Sequence, residues 1–230
     1  MSGRSPAGPA RDWEVQVRLL PVDTTSTDVE VARACLTRAE LAYADRGVPA
    51  VRTRRVLLRA ALRRLAGEVL GVPAADVPLT EPPGRPGLTG ALAGQDVDLG
   101  CSASGALGLV AVARHCRMGV DVERLTTPTA DAEDWLTAAE QAALAQLPAD
   151  RRAAALSRAW TGKEAVLKGV GTGLRVDPRT VDTAAAPSGH GPVGDWHLHP
   201  LDVPAGWVAT LAVRPYGPPS RAAEGTVTLR

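Results

Sequence analysis

Met118-Gly-Val-Asp-Val-Glu123 alternates with a period of two, so Asp121 and Glu123 share one face of a strand while Val120 and Val122 share the other. Two strand residues separate the Cα atoms by roughly 6.5 Å. Carboxylates leaning together across that gap can ligate one hard cation, Mg²⁺ or Mn²⁺, when a phosphate and waters complete its shell. On Gly119–Glu123 alone, a solvated strand face with two ordinary surface acids is the better reading.

About forty residues on, Trp160-Thr-Gly-Lys-Glu-Ala-Val-Leu-Lys168 changes that balance. It belongs to a helix predicted from about Asp150 to Lys168, ending in Gly169-Val-Gly-Thr-Gly173, with Leu156, Trp160, Leu167 and Val170 marking its buried side. Glu164 stands one turn after Trp160, on the buried side, and Lys168 one turn further. A bland alternative is an exposed i,i+4 Glu–Lys pair worth about 0.2–0.5 kcal/mol. Gly162 argues against blandness, because a mid-helix glycine costs about 1 kcal/mol against alanine and implies a close approach to the backbone. If strand and helix converge, Asp121, Glu123 and Glu164 form a three-carboxylate metal site with a lysine beside it.

The surrounding sequence supplies strands and helices in mixed order. Trp13–Leu19 alternates as a strand. A helix is predicted over roughly Asp28 to Ala44, and a clearer one from Arg52 to Leu70, stopped by Gly71 and Pro73. The latter carries an apolar stripe (Val51, Leu58, Leu62, Leu65, Val69) and a basic one (Arg52, Arg55, Arg59, Arg63). For Arg52 and Arg63 a solvated helix face explains the stripe equally well. The Pro/Gly-rich loop Glu81–Gly87 precedes strands over Val97–Ser102, Leu107–Ala113 and Met118–Glu123, the last two predicted as a hairpin through Arg114–Arg117. Thr126–Pro128 break the pattern. A helix begins near Thr137, where Thr137-Ala-Ala-Glu140 reads as a capping box. Asp195–Leu201 and Trp207–Val213 pair around Pro204-Ala-Gly206. The chain after Tyr216 reads as a loose tail. This order gives an α+β fold.

Composition bounds the function. The 230 residues suffice for one large or two small domains. A formal net charge of +1 gives no bulk electrostatic reason to expect nucleic acid or a membrane surface. The three widely spaced cysteines, Cys35, Cys101 and Cys116, form no disulfide framework or Cys-x-x-Cys. His197-x-His199 lacks partners at ligand spacing and reads as structural. Met1–Ala10 has no apolar core of a signal peptide and reads as a flexible leader; no apolar run is long enough to span a bilayer. A cytoplasmic location is the expectation.

Together, Gly119–Glu123, Trp160–Lys168 and Gly171-Thr-Gly-Leu174 resemble the paired signature of the 4′-phosphopantetheinyl transferase superfamily. The chain length is similar to its surfactin-synthetase-type branch, a monomer in which two similar α/β halves form a pseudo-dimer with the active site in the cleft between them. The expected division is leader 1–12, N-terminal half 13–113, C-terminal half 114–216 and tail 217–230. The resemblance implies that coenzyme A binds in the cleft, that Asp121, Glu123 and Glu164 hold Mg²⁺ (or Mn²⁺), and that a carrier-protein serine attacks the β-phosphate, releasing 3′,5′-ADP. Glu164 is the expected base and Lys168 offsets phosphate charge. Expected coenzyme contacts are Arg55, Arg59, Arg85 (where the family has Gly-Lys-Pro), Ser102, Ser104, Asp121, Lys163 and Lys168. For Lys163 a plain surface lysine is an equal alternative. Glu140 matches a further acidic position, although the helix cap is the favoured reading.

One departure stands out: Ser102-Ala-Ser-Gly105 has Ala103 where the family commonly has histidine. Implied partners are acyl or peptidyl carrier domains of polyketide or nonribosomal peptide assembly, with neither nucleic acid nor membrane. Two rivals are a different metal-dependent phosphate hydrolase and a non-catalytic coenzyme- or carrier-binding homologue.

Overall fold

The computed structural model describes residues 12–23, 26–125, 134–216 and 225–229. Strand β1 (Trp13–Pro21) opens the chain. Two helices follow, α1 (Ser26–Arg33) and α2 (Arg38–Ala44), where the pattern predicts one over 28–44. The break has a local cause. The Thr37 hydroxyl accepts the Glu40 amide while the Glu40 carboxylate accepts the Thr37 amide. That reciprocal cap satisfies two donors a helix start leaves open, so a new helix begins there.

Helix α3 (Pro49–Leu70) begins at a proline, three residues before the predicted start, and ends at Gly71, whose φ of 73° is the left-handed stop. Then come β2 (Val97–Ser104), β3 (Leu107–Arg114), β4 (Cys116–Arg124), α4 (Ala138–Ala145) and α5 (Ala149–Val170). Strands β5 (Gly191–Val193), β6 (Trp196–Leu201), β7 (Trp207–Pro215) and β8 (Gly225–Leu229) complete the chain. The pattern break at Thr126–Pro128 and the leader through residue 11 lie outside the described residues.

The strands form two sheets, ordered β2-β3-β1-β8 and β4-β7-β6-β5. All pairings are antiparallel except β1 with β8. The predicted β3–β4 hairpin is therefore wrong. Both edges of β3 are already taken, by β1 and β2, so β4 has no place beside it. The chain instead turns at His115, which adopts φ 60°, and starts the second sheet. The hairpin lies one strand earlier, with β2 and β3 joined through Gly105 (φ 53°) and Ala106. The tail expectation is also corrected: residues 225–229 extend the first sheet along β1.

The sheets pack face to face. Alternate residues of β1, β3, β4 and β7 (Val15, Leu109, Val120, Leu211) fill the space between them. On the outer face of the first sheet, Val110 and Val112 meet Leu62 and Leu65 of α3. On the outer face of the second, Leu198 and Ala212 meet Ala165 and Val166 of α5. Val170, expected on the buried side, is 54% exposed. Among the described residues no helix is long and apolar enough to cross a membrane.

Helix α5 lies against β4 at backbone distance. A Cβ on Gly119 would stand 2.0 Å from the Ala165 carbonyl oxygen and 2.4 Å from the Gly169 nitrogen. Gly162 is likewise crowded, with Leu198 and Thr183 side-chain carbons 3.0 and 3.3 Å from where its Cβ would be. Backbone cannot swing aside as a side chain can. Gly119→Ala should therefore lose about 3 kcal/mol or more in urea unfolding. Gly94→Ala, in open space, should stay within about 0.5 kcal/mol of the parent.

Candidate active site

Because Val120 and Val122 face the first sheet, Asp121 and Glu123 face α5. Gly119 lets that helix settle close enough for its last turns to reach them. Lys168 Nζ lies 2.5 Å from Asp121 Oδ1. Strand β2 runs alongside β4 and contributes two serines. Ser102 Oγ donates to Asp121 Oδ1 at 2.8 Å, and Ser104 Oγ donates to Glu123 Oε2 at 2.7 Å. Lys168 also donates to Ser102 Oγ at 3.0 Å. Trp207 Nε1 donates to the Ser104 carbonyl at 3.2 Å, pinning that end of β2.

Glu164 completes the acidic set. It is 8% exposed and Asp121 1%. Burial pushes the Glu164 carboxyl up; the nearby Lys168 ammonium opposes that, and Asp121 and Glu123 add to it. Glu123 is raised too, chiefly by burial, with Ser104 pulling the other way and Asp121 reinforcing it. The acids thus lie near enough to act on one another, although burial is the larger cause of both shifts.

The described residues contain no group of three His, Cys, Asp or Glu side chains gathered tightly enough to hold an ion as they stand. Lys168 and Ser102 hold Asp121 Oδ1, and Ser104 holds Glu123 Oε2. What remains is acceptor capacity. Asp121 Oδ2 and Glu164 Oε1 are buried with no hydrogen-bond partner. Buried acceptors are ordinarily satisfied, so two orphaned carboxylate oxygens fit a cation far better than they fit a purely structural role.

The basic stripe of α3 is structural over much of its length. Arg63, 2% exposed, clamps Glu40 at 2.9 Å and donates to the carbonyls of Ala74, Ala75 and Val77. The solvated-face expectation fails for Arg63, because the buried Glu40 carboxylate of α2 needs a cation. Arg59 also pairs with Glu40 and donates to the Thr80 carbonyl at 2.5 Å. Arg55 donates to the Tyr43 carbonyl and lies over the Tyr43 ring, 4.2 Å from its centroid. Arg52 lies 3.5 Å from Asp45.

Arg85 bridges Asp98 (2.7 Å) and the Met118 carbonyl (2.6 Å), which ties the Pro/Gly loop to β4. Asp98 went unnoticed in the sequence, although its period-two register with Ser102 and Ser104 places it on their face. Burial raises the Cys101 thiol, and Lys168, Arg59 and Arg85 act to lower it. Cations from three segments thus act on the middle of β2, two of them, Arg59 and Arg85, already paired with Glu40 and Asp98. Ala103 points the other way, packing with Val22, Ala44 and Val56, so the departure at that position does not touch the carboxylates.

Lys163 is corrected outright. It is 0% exposed, so it is not a surface lysine, and its ammonium is taken up by protein groups instead of being open to a phosphate. Its ammonium sits 2.8 Å from Glu140 Oε2 and donates to the Pro178 and Val181 carbonyls. Glu140 forms the helix cap with Thr137 and also accepts from the Thr183 amide and hydroxyl. Glu140 is thus spent on structure, in keeping with the cap reading.

A family model described as the 4′-phosphopantetheinyl transferase superfamily matches residues 117–212, from the start of β4 into β7. That region holds Asp121, Glu123, Glu164 and Lys168, while the serines of β2 and Arg55, Arg59 and Arg85 lie outside it. No curated protein matches the chain.

The Glu140–Lys163 pair yields a stability prediction. Burial alone would raise the Glu140 carboxyl, but Lys163, Thr183 and the cap donors hold it below its ordinary value of 4.5. A depressed acid stabilises the fold above 4.5 and loses that contribution as pH falls through the lower native value. Lys163→Met strands a buried carboxylate and should cost about 3–5 kcal/mol at neutral pH. Denaturant melts across pH should also show a shallower acid-side loss in the variant than in the parent.

Proposed function

We propose that this chain, whose residues 117–212 match the model of the 4′-phosphopantetheinyl transferase superfamily, moves 4′-phosphopantetheine from coenzyme A to a serine of a carrier-protein domain. The observation that carries this reading is the pair of buried, unpartnered carboxylate oxygens, Asp121 Oδ2 and Glu164 Oε1, in the same neighbourhood as the Lys168 ammonium inside the matched region. Such a cluster suits a substrate that brings both a cation and a diphosphate.

Asp121, Glu123 and Glu164 would hold Mg²⁺ (or Mn²⁺), which when bound would neutralise the diphosphate of coenzyme A. Glu164 accepts the proton of the carrier serine. Its burial makes it a stronger base than an exposed glutamate. The serine oxygen bonds to the β-phosphorus, the bond from that phosphorus to the bridging oxygen breaks, and 3′,5′-ADP leaves with the electron pair. Lys168 neutralises charge gathering on the transferring phosphoryl oxygens. Ser102 and Ser104 fix the carboxylates. Arg59 and Arg85 supply positive potential along β2 for the 3′-phosphate end, and Arg55 remains a candidate beside them.

The reading extends to two similar halves, 13–113 and 114–216, as in the surfactin-synthetase-type branch. Register supports it: β1 pairs with β3, and β3 with β2, as β4 pairs with β7, and β7 with β6. Helices α3 and α5 each have 22 residues and end at left-handed Gly71 and Gly171. The capping boxes Thr37–Glu40 and Thr137–Glu140 each hand their glutamate to a buried cation of the long helix, Arg63 or Lys163. The chain length further favours carriers of polyketide or nonribosomal peptide assembly.

The test is intact-mass spectrometry of an apo carrier domain incubated with the protein, coenzyme A and Mg²⁺. The carrier should gain one phosphopantetheine. Because burial disfavours ionised Glu164, Glu164→Gln should melt no lower than the parent while transferring at least about 100-fold more slowly. Parental transfer rates in that variant would sink the assignment.

A further inference from the structure

We propose that Lys168 is a latch on the acidic site: its ammonium holds the Asp121 carboxylate until a divalent cation and a diphosphate arrive together to replace it. This rests on the transferase reading and deepens it, because it couples the two ligands through one side chain.

The contacts define the latch. Lys168 Nζ lies 2.5 Å from Asp121 Oδ1 and 3.0 Å from Ser102 Oγ, and Ser102 donates to the same oxygen at 2.8 Å. Oδ1 therefore has two donors while Oδ2 has none. A divalent cation drawn to Asp121 meets an ammonium already seated on that carboxylate. Two positive centres cannot share one buried carboxylate cheaply, because repulsion grows as the local dielectric falls. Lys168 can leave: its side chain is 34% exposed, on the last turns of α5, with a flexible four-carbon stem. Phosphate oxygens give the displaced ammonium a stronger partner than water does, so the exchange is most favourable when a diphosphate is present.

The same side chain thus opposes the cation alone and welcomes the cation with a diphosphate. That is a coupling free energy, and it must be reciprocal: coenzyme A tightens cation binding as much as the cation tightens coenzyme A binding. The strand-to-helix contact is built into the backbone. Arg18 of β1 and Glu68 of α3 form a 2.9 Å ion pair. In the first sheet they hold the places of Asp121 and Lys168, since Arg18 faces Val110 as Asp121 faces Thr210. The charges are exchanged between strand and helix.

Mn²⁺ is the probe, followed by calorimetry and by the paramagnetic signal of the free ion, for the parent, Lys168→Met, Lys168→Gln and Asp121→Asn, with and without coenzyme A. Without coenzyme A, both Lys168 variants should bind Mn²⁺ at least about tenfold tighter than the parent, because one unit charge has been removed from beside the ion. Asp121→Asn should bind weakly throughout. Coenzyme A should tighten Mn²⁺ binding far more in the parent than in Lys168→Met. The latch is overturned if both folded Lys168 variants bind Mn²⁺ no better than the parent without coenzyme A. A separate outcome overturns the transferase reading itself: a parent protein that binds no Mn²⁺ even with coenzyme A and leaves carrier domains unmodified.

Discussion

The contact between α5 and β4 at Gly119 governs the rest of the molecule. With no Cβ at that position, the helix backbone at Ala165 and Gly169 comes down onto the strand. Asp121 and Lys168 then meet across the gap, and Glu164 is drawn into the same buried layer. On the opposite face of β4, Val120 and Val122 seal the space between the sheets. A strand buried on both faces cannot leave Asp121 in water, so its carboxylate must find partners inside the protein. It finds Lys168 and Ser102 on one oxygen and nothing on the other.

The buried charges divide into two kinds with different physical roles. Glu40 and Glu140 have every reason to stay ionised: each caps a helix and each has a buried cation against it. Their pKa values are pulled down accordingly. Glu123 and Glu164 are pushed up, chiefly by burial. The first kind fastens helices to the long helix beside them. The second kind is held out of water without full compensation, which is the expected state of groups kept for a charged ligand and not for the fold alone.

Local patterns were legible in the sequence wherever a short-range cause acts. The period-two run 118–123 is a strand, Gly71 stops a helix, and Thr137–Glu140 caps one. Thr37–Glu40 carried the same capping signal, and recognising it would have split the predicted helix over 28–44. The hairpin expected between Leu107–Ala113 and Met118–Glu123 failed for a nonlocal reason: β1, far earlier in the chain, already occupies the edge of β3. The tail failed likewise, since the partner of residues 225–229 is a strand some two hundred residues away. Lys163 was misplaced because helical spacing sets only its angle around α5, and the Glu140 that captures it comes from another helix.

By itself the sequence determined which residues could carry the chemistry. Asp121 and Glu123 share a face by strand geometry, and Glu164 and Lys168 follow one another by helical pitch. The tertiary structure alone decided which oxygens are engaged and which are free. It seated Lys168 on Asp121, spent Lys163 and Arg63 on buried glutamates, and turned Ala103 away from the acids. Periodicity fixes a side chain's direction along its own element. Whether that direction ends at a partner, at solvent or at an unsatisfied atom depends on the element packed opposite, which for Asp121 is set by the close approach of α5 at Gly119.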